Sequence, residues 1–183
     1  RNGGKFDAIF ANAGVLFMAP DERIPPEQKD LQVDVNVKSV VHAFDAAMPF
    51  LKRTAPGSHA IAMASTSAEY GTPHHAIYSA TKFFVRGYTE ALNIEYRRQG
   101  INVCGIYVSY VDTGMVRNAE WKAASVETMG VKARAEDVAA MVWNAAHGNR
   151  AHWRVGLDAK FSHFAVRLLG SWVAPIYARM VQL

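Results

Sequence analysis

The feature that most constrains the fold is the alternation of short apolar segments with helical stretches of ten residues or more. Apolar residues bounded by Gly, Pro and polar residues predict buried strands at residues 6–11, 59–64, 101–108 and 152–156. Helical periodicity predicts helices over residues 26 to about 51 and about 77 to 99. This βαβ alternation is typical of a parallel sheet with helices on both faces. We therefore predict a three-layer α/β fold, a doubly wound parallel sheet of the Rossmann type.

The composition fits one globular domain and excludes several classes of protein. Half of the 183 residues are hydrophobic and a fifth are charged, which excludes disordered and collagen-like chains. No apolar run is long enough to span a membrane. The single cysteine, Cys104, excludes an internal disulfide, so we expect a buried, unreactive thiol and a cytoplasmic protein.

The excess positive charge lies in the last part of the chain. Residues 150–183 carry five Lys and Arg against one acidic residue, whereas residues 1–149 carry 15 of each sign. Because the charges elsewhere alternate in sign, no basic stripe for nucleic acid is present. Apolar residues recur in the same tail at steps of three and four: Phe161, Phe164, Leu168, Leu169, Trp172, Val173, Ile176 and Met180. This pattern is compatible with peripheral contact between residues 159–183 and an anionic membrane, or with packing on the domain or a partner subunit.

Tyr78 and Lys82 are a candidate catalytic pair. They are four residues apart on the long predicted helix, so they share one face. An ammonium near the phenol favours the phenolate, so we expect Lys82 to lower the pKa of Tyr78 and make it a general acid/base. Ser65, at the end of the preceding strand, can offer its hydroxyl to the same oxygen. Because parallel strands end at one edge of a sheet, we expect one crevice lined by residues 12–14, 65–67 and 109–113.

These residues also carry a family resemblance. Ser65 and the segment Tyr78-Ser79-Ala80-Thr81-Lys82, with Asn12-Ala13-Gly14 and Asn36 upstream, resemble the motifs of short-chain dehydrogenases/reductases in order and spacing. The resemblance extends from residue 6 to about 156. It implies hydride transfer between NAD or NADP and a carbonyl or secondary alcohol, with the cofactor supplying the hydride chemistry.

The resemblance implies a role for each matching residue. Tyr78 would exchange a proton with the substrate oxygen, and Ser65 would polarise that oxygen. Lys82 would lower the pKa of Tyr78 and bind the nicotinamide ribose. Asn36 would hold a water through a local distortion of its helix. The residues implied in cofactor binding are Asn12, Ala13, Gly14, Tyr78, Lys82, Val111 and Thr113.

The chain departs from the family pattern in two places. Val108-Ser109 stands where the family usually has Pro-Gly, which alters the loop that leads to Thr113. The Gly-rich dinucleotide turn does not occur, so we expect an N-terminally truncated Rossmann domain that lacks about 75–90 residues of βα units. Residues that distinguish NAD from NADP belong to those units, so both cofactors stay open. The strand at residues 6–11 would then be a bare sheet edge.

We divide the chain into a Rossmann-type part, residues 1–157, and a basic amphipathic tail, residues 158–183. Met115, Trp121 and Met129 suggest an apolar small-molecule substrate, and a homodimer or homotetramer is possible.

Other classes of function stay open beside the oxidoreductase. A non-catalytic binding or regulatory relative, or an inactive fragment, is one alternative. Ser79-Ala80-Thr81-Lys82 also fits the Ser-x-x-Lys of penicillin-recognising enzymes, although the companion motifs of that class are absent. The seven histidines form no metal-binding spacing, so no metal is predicted; His74-His75 would border the site or be exposed.

Overall fold

The computed structural model describes residues 5–119, 121–173 and 175. Its centre is a parallel four-stranded sheet in the order β1-β2-β3-β4. The strands are β1 (Ala8–Ala11), β2 (Ser58–Met63), β3 (Ile101–Tyr107) and β4 (His152–Arg154). The predicted parallel sheet is confirmed, and each strand lies within about two residues of its predicted bounds. As expected, β1 lies at an edge of this sheet.

Helices cover both faces of the sheet. They are α1 (Pro26–Val33), α2 (Ser39–Thr54), α3 (Ala76–Arg97), α4 (Gly114–Arg117), α5 (Ala124–Met129), α6 (Ala135–Ala145) and α7 (Gly156–Leu169). A π-helical stretch, Asp34–Lys38, joins α1 to α2 without a break. The helix predicted over residues 26–51 therefore exists, but a wider turn interrupts its regular geometry. Short 3₁₀ turns follow at Thr66–Ala68 and Gly170–Trp172.

Side-chain alternation along the strands divides the core into two apolar layers. Ala60 and Ala62 of β2 face the layer built with α2 and α3, whereas Ile61 faces the layer built with α6. This explains why the strands read as continuous apolar runs, since both faces of a parallel sheet are buried. Cys104, opposite Ile61 on β3, is fully buried in the α6 layer, and burial raises the pKa of its thiol to about 12. The prediction of a core cysteine is confirmed.

Gly100 ends the turn between α3 and β3, where the sequence predicted the helix to stop. Its φ of +75° favours glycine, and a Cβ at this position would lie 2.5 Å from the Cβ of Pro56. The carbonyl of Gly100 accepts a hydrogen bond from the Gly57 N–H at 2.8 Å. The close approach holds the loop before β2 against the loop before β3, which sets the register of the two strands.

A buried ion cluster joins α7 to the sheet and to α3. The Glu69 carboxylate lies 2.6 Å from Arg86 Nη1, 2.9 Å from Arg154 Nη2 and 2.9 Å from His163 Nδ1. Burial alone would raise the pKa of Glu69, but these hydrogen bonds and the two arginine charges keep the net pKa below its ordinary value. The cluster therefore fixes one face of α7 against the loop that follows β2.

Helix α7 begins at Gly156, two residues before the boundary predicted for the tail. The predicted tail residues Ile176, Arg179 and Met180 lie outside the described residues. Among the residues that the structure describes, no helix combines the length and the apolar character needed to cross a membrane.

Candidate active site

A cavity of about 760 Å³ opens at the carboxyl ends of β1, β2 and β3. This is the edge where the sequence predicted a crevice, because all three strands run in the same direction. The predicted site residues that line it are Asn12, Ala13, Gly14, Ser65, Tyr78, Lys82, Val111 and Thr113. Asn36 is fully buried behind the cavity wall.

Tyr78 lies near the start of α3, and Lys82 lies one turn further along the helix. The Lys82 Nζ is 5.5 Å from the centroid of the Tyr78 ring. Burial of the phenol raises the pKa of Tyr78 to about 12, although a hydrogen bond with Ser65 acts in the opposite direction. Burial also lowers the pKa of Lys82 to about 8.

The expectation that Lys82 lowers the pKa of Tyr78 below its ordinary value is therefore wrong for this structure. Removal of water disfavours the charged form of each group, and for Tyr78 this effect is larger than the effects of its neighbours. The Lys82 ammonium donates a hydrogen bond to the Met63 carbonyl oxygen at 2.9 Å. Its position is thus set by the end of β2 as well as by the helix that carries it.

Ser65 is the first residue after the end of the β2 segment to present a hydroxyl to the cavity. It precedes the 3₁₀ turn Thr66–Ala68, and its Oγ accepts a hydrogen bond from the Ser67 N–H at 3.2 Å. The same hydroxyl lies 3.5 Å from the Val108 carbonyl oxygen at the end of β3. Ser65 is consequently held by two neighbouring strand ends, with its oxygen beside the Tyr78 hydroxyl.

Asn36 occupies the middle of the π-helical stretch, so the expected local distortion of its helix is confirmed. Its Oδ1 accepts a hydrogen bond from the Val15 N–H at 2.8 Å, and its Nδ2 donates to the Val15 carbonyl oxygen at 2.9 Å. Nδ2 also donates to Thr81 Oγ1 at 3.1 Å. The side chain thus connects the loop after β1 to α3.

The turn Asn12-Ala13-Gly14 follows β1 directly. A Cβ on Gly14 would lie 3.4 Å from Asn36 Oδ1 and 3.8 Å from Lys82 Nζ, in ordinary van der Waals contact, so the turn lies directly beside both side chains. On the opposite side of the cavity, Thr113 precedes α4, and its Oγ1 lies 3.4 Å from the Val111 carbonyl oxygen. These two segments border the cavity on either side of Lys82 and Ser65.

The sequence analysis missed a hydrogen-bonded chain beside Tyr78. His75 Nδ1 lies 2.9 Å from the Pro73 carbonyl oxygen, and its Nε2 lies 3.3 Å from Tyr110 Oη. Tyr110 Oη in turn lies 2.7 Å from Ser125 Oγ on α5. Burial lowers the pKa of His75, which favours the neutral ring. Tyr110 lies within residues 109–113, which the sequence predicted to line the crevice, and His75 belongs to the pair predicted to border the site or be exposed; no sequence signal identified Ser125.

Much of the remaining cavity wall is apolar. It includes Leu16, Val108, Met115, Val116, Met129 and Trp143. Met115 and Met129 thus line the cavity, as expected for residues that contact an apolar substrate. Trp121 instead packs edge-to-face against His74 and is not a lining residue.

Ser79 does not line the cavity either. Its Oγ accepts a hydrogen bond from the Thr72 N–H, so the structure gives no support to Ser79 as the nucleophile of a Ser-x-x-Lys motif. Within the described residues, no group of His, Cys, Asp and Glu could hold a metal ion.

The parallel sheet and the cavity at its carboxyl edge define a Rossmann-like α/β protein. A family model described as short chain dehydrogenase matches residues 1–124. The chain therefore belongs to the short-chain dehydrogenase family, as the motifs predicted.

Curated relatives carry oxidoreductase names. An uncharacterized oxidoreductase of Staphylococcus epidermidis is 32% identical over 118 residues, covering 64% of this chain and 51% of the relative. A 3-ketodihydrosphingosine reductase of Bacteroides thetaiotaomicron is 31% identical over 115 residues, covering 63% of this chain and 42% of the relative. The chain thus spans about half the length of the curated relatives it matches.

Solved structures share the fold. A 3-ketoacyl-(acyl-carrier-protein) reductase from Brucella melitensis, complexed with NADH, aligns with a TM-score of 0.70 and 26% identity over 83% of this chain and 66% of that one. A short chain dehydrogenase from Burkholderia cenocepacia, in complex with NADP, aligns with a TM-score of 0.78 and 23% identity over 96% of this chain and 71% of that one. Because the Burkholderia chain is only 23% identical to this one, its similarity shows a shared fold alone.

Proposed function

We propose that this chain carries the catalytic groups of an NAD(P)-dependent oxidoreductase that interconverts a carbonyl compound and an alcohol. One observation carries the proposal: Ser65, Tyr78 and Lys82 line a single cavity at the carboxyl edge of the sheet, with Ser65 hydrogen-bonded to the Tyr78 hydroxyl. Membership of the short-chain dehydrogenase family supports it.

Tyr78 acts as the general acid in reduction and as the general base in oxidation. In reduction, its hydroxyl donates a proton to the carbonyl oxygen of the substrate, while Ser65 donates a hydrogen bond to the same oxygen. A nicotinamide cofactor held in this cavity would supply the hydride for reduction and accept it in oxidation. Lys82, whose Nζ lies 5.5 Å from the centroid of the Tyr78 ring, is placed to bind the nicotinamide ribose beside the reacting groups.

The residues around Lys82 fit a nicotinamide nucleotide. The Lys82 ammonium is a donor suited to ribose hydroxyls, and the turn at Gly14 lines the cavity beside it. Asn12 and Ala13 extend this exposed turn, and Val111 and Thr113 offer backbone and hydroxyl groups across the cavity. The Brucella relative complexed with NADH supports NAD, and the Burkholderia relative complexed with NADP supports NADP.

The substrate proposed is an apolar small molecule with a ketone or secondary alcohol. Met115 and Met129 contribute to an apolar wall on the substrate side of the cavity. The names of two relatives specify 3-keto compounds, which supports a ketone. A homodimer or homotetramer is part of the same proposal, and light scattering of the purified protein tests it.

Substitution Tyr78→Phe tests the function. Ketone-dependent oxidation of NADH and NADPH should fall by at least about 100-fold, because a positioned general acid contributes roughly 10²–10⁴ in rate. Cofactor binding, followed by fluorescence of the reduced nicotinamide, should persist. Tyr96→Phe, on the same helix but partly buried against the apolar core, is the control and should keep the wild-type rate.

Two results would oppose the proposal. If Tyr78→Phe turned over ketones at the wild-type rate, Tyr78 would not be the general acid. If the wild-type chain bound the reduced cofactor but turned over no ketone, the non-catalytic binding module would be the better description.

A further inference from the structure

Helix α7 presents an apolar stripe to solvent. The stripe consists of Leu157, Phe161, Phe164, Leu168 and Trp172, whose exposed fractions range from 63% to 81%. Along the helix these residues follow one another at steps of four, three and four, which places them on one face; Trp172 extends the stripe into the 3₁₀ turn Gly170–Trp172. Exposed apolar residues contiguous over several turns are uncommon on a monomeric protein and mark interaction surfaces.

The opposite face of α7 fixes this orientation. Ala159 is buried against the domain, and His163 Nδ1 lies 2.9 Å from the Glu69 carboxylate. His163 also lies 2.9 Å from Arg154 Nη2. Rotating α7 so that the stripe faced the core would separate His163 from Glu69 and Arg154. The stripe is therefore a solvent-facing surface of α7 in the folded domain.

Positive charge borders the stripe. Lys160 and Arg167 are exposed, lie seven residues apart and therefore occupy the same flank of the helix. Asp158 is the single acidic residue in the last 34 residues of the chain, whereas the rest of the chain carries equal numbers of acidic and basic residues. The surface around the stripe is therefore both apolar and cationic.

We propose that the outward face of α7 docks onto an anionic lipid surface. An interfacial helix of this kind lies in the membrane plane, inserts its apolar stripe between lipid chains and pairs its basic flank with anionic headgroups. A tryptophan at the end of the stripe suits the boundary between headgroups and chains. Antiparallel pairing of two copies through the same face is disfavoured, because a two-fold axis perpendicular to the helices would place both basic flanks on the same side of the interface.

Vesicle cosedimentation of the complete chain tests the proposal. The probes are vesicles of phosphatidylcholine and vesicles of equimolar phosphatidylcholine and phosphatidylglycerol. We expect binding to the anionic vesicles, weaker binding to the neutral ones, and a loss of affinity as salt rises to about 1 M, where the Debye length is about 3 Å. Fluorescence of Trp172 should be quenched by brominated lipid, and Trp172→Phe should lose that part of the quenching.

Matched variants separate the apolar and the electrostatic contributions. Phe161→Ser with Leu168→Ser should lower affinity for anionic vesicles by at least about ten-fold, because it removes two apolar side chains that the bound membrane would bury. Lys160→Glu with Arg167→Glu should lower it by at least about ten-fold, since each basic residue contributes near an anionic surface. Ile94→Ser on α3, where Ile94 is 77% exposed, is the control and should bind like the wild type.

Three outcomes would overturn the proposal. The first is failure of the wild-type chain to bind the anionic vesicles. The second is equal binding to neutral and anionic vesicles. The third is a dimer in light scattering that Phe161→Ser with Leu168→Ser converts to a monomer, without vesicle binding by either protein, since a second copy would then cover the stripe.

Discussion

The side-chain amide of Asn36 pairs with both backbone polar groups of Val15, accepting from its N–H at 2.8 Å and donating to its carbonyl oxygen at 2.9 Å. Its third hydrogen bond reaches Thr81, the residue before Lys82. One buried amide therefore sets the position of the loop after β1 relative to α3. Asn36 is a positioning residue for Gly14 and Lys82, which approach each other across this connection.

Asn36→Ala should destabilise the fold strongly. The substitution removes three hydrogen bonds and leaves buried partners unpaired, which should lower the free energy of unfolding by about 2–4 kcal/mol. Urea denaturation followed by circular dichroism measures this loss. Asn144→Ala, at an exposed position of α6, is the control and should change the free energy of unfolding by less than about 0.5 kcal/mol. Similar values for the two variants would contradict the importance of the Asn36 bonds.

Glu69→Gln should loosen the attachment of α7. Arg154 and His163 would lose a buried anionic partner, and breaking such a cluster should cost about 3 kcal/mol at neutral pH. Glu90→Gln, at a partly exposed carboxylate that also contacts Arg86, is the control and should cost less than about 1 kcal/mol.

The pH dependence of the Glu69 variant follows from its lowered pKa. A carboxyl whose pKa falls on folding stabilises the protein above its ordinary pKa of 4.5, and that stabilisation is lost as pH falls through the folded value. The difference in unfolding free energy between wild type and Glu69→Gln should therefore shrink below about pH 4.5. A difference that stays constant through this range would show that charge is not its origin.

Lys82→Met should reveal the cost of burying an ammonium. The folded pKa of about 8 lies below the ordinary 10.5, so the unfolded chain binds more protons between these values and wild-type stability gains from rising pH. The free energy of unfolding of Lys82→Met minus that of the wild type should therefore decrease by about 3 kcal/mol from pH 7 to pH 10.5. Chemical denaturation at a series of pH values measures it.

Lys38→Met is the matched control for Lys82. The hydrogen bond with Asp34 raises the pKa of Lys38, so its contribution is lost only as pH rises above 10.5. The difference in unfolding free energy between Lys38→Met and the wild type should stay constant from pH 7 to 10.5. The same decline in both lysine variants would argue against burial of Lys82 as the cause.

Much of the architecture could be predicted because it follows from local patterns. Apolar runs bounded by Gly and Pro located all four strands, and the direction of parallel strands brought Ser65, Tyr78 and Lys82 to one edge. A local distortion of the helix at Asn36 was expected only through the family resemblance, and the structure shows it as the π-helical stretch Asp34–Lys38. No local sequence pattern predicts this distortion. It occurs where Asn36 makes hydrogen bonds with residues that are distant in sequence.

The electrostatics of the site were less predictable. A four-residue spacing gives the proximity of Tyr78 and Lys82 but carries no information on solvent access, and burial reverses the expected direction of the Tyr78 pKa shift. The hydrogen bond from Lys82 to Met63 depends on how α3 packs on β2. Likewise, the contact between Tyr110 and Ser125 joins two segments that only the tertiary fold brings together.

The single cysteine allows the local stability of the central part of the sheet to be measured. Cys104 lies in β3 with no exposed surface, and its raised pKa leaves almost no thiolate at neutral pH. An alkylating reagent can react with it only when β3 separates from its surroundings, so the ratio of labelling rates in native buffer and in urea gives the free energy of that opening. One mass measurement per time point would then rank the Asn36 and Glu69 variants by the local stability of their sheet under conditions in which the protein stays folded.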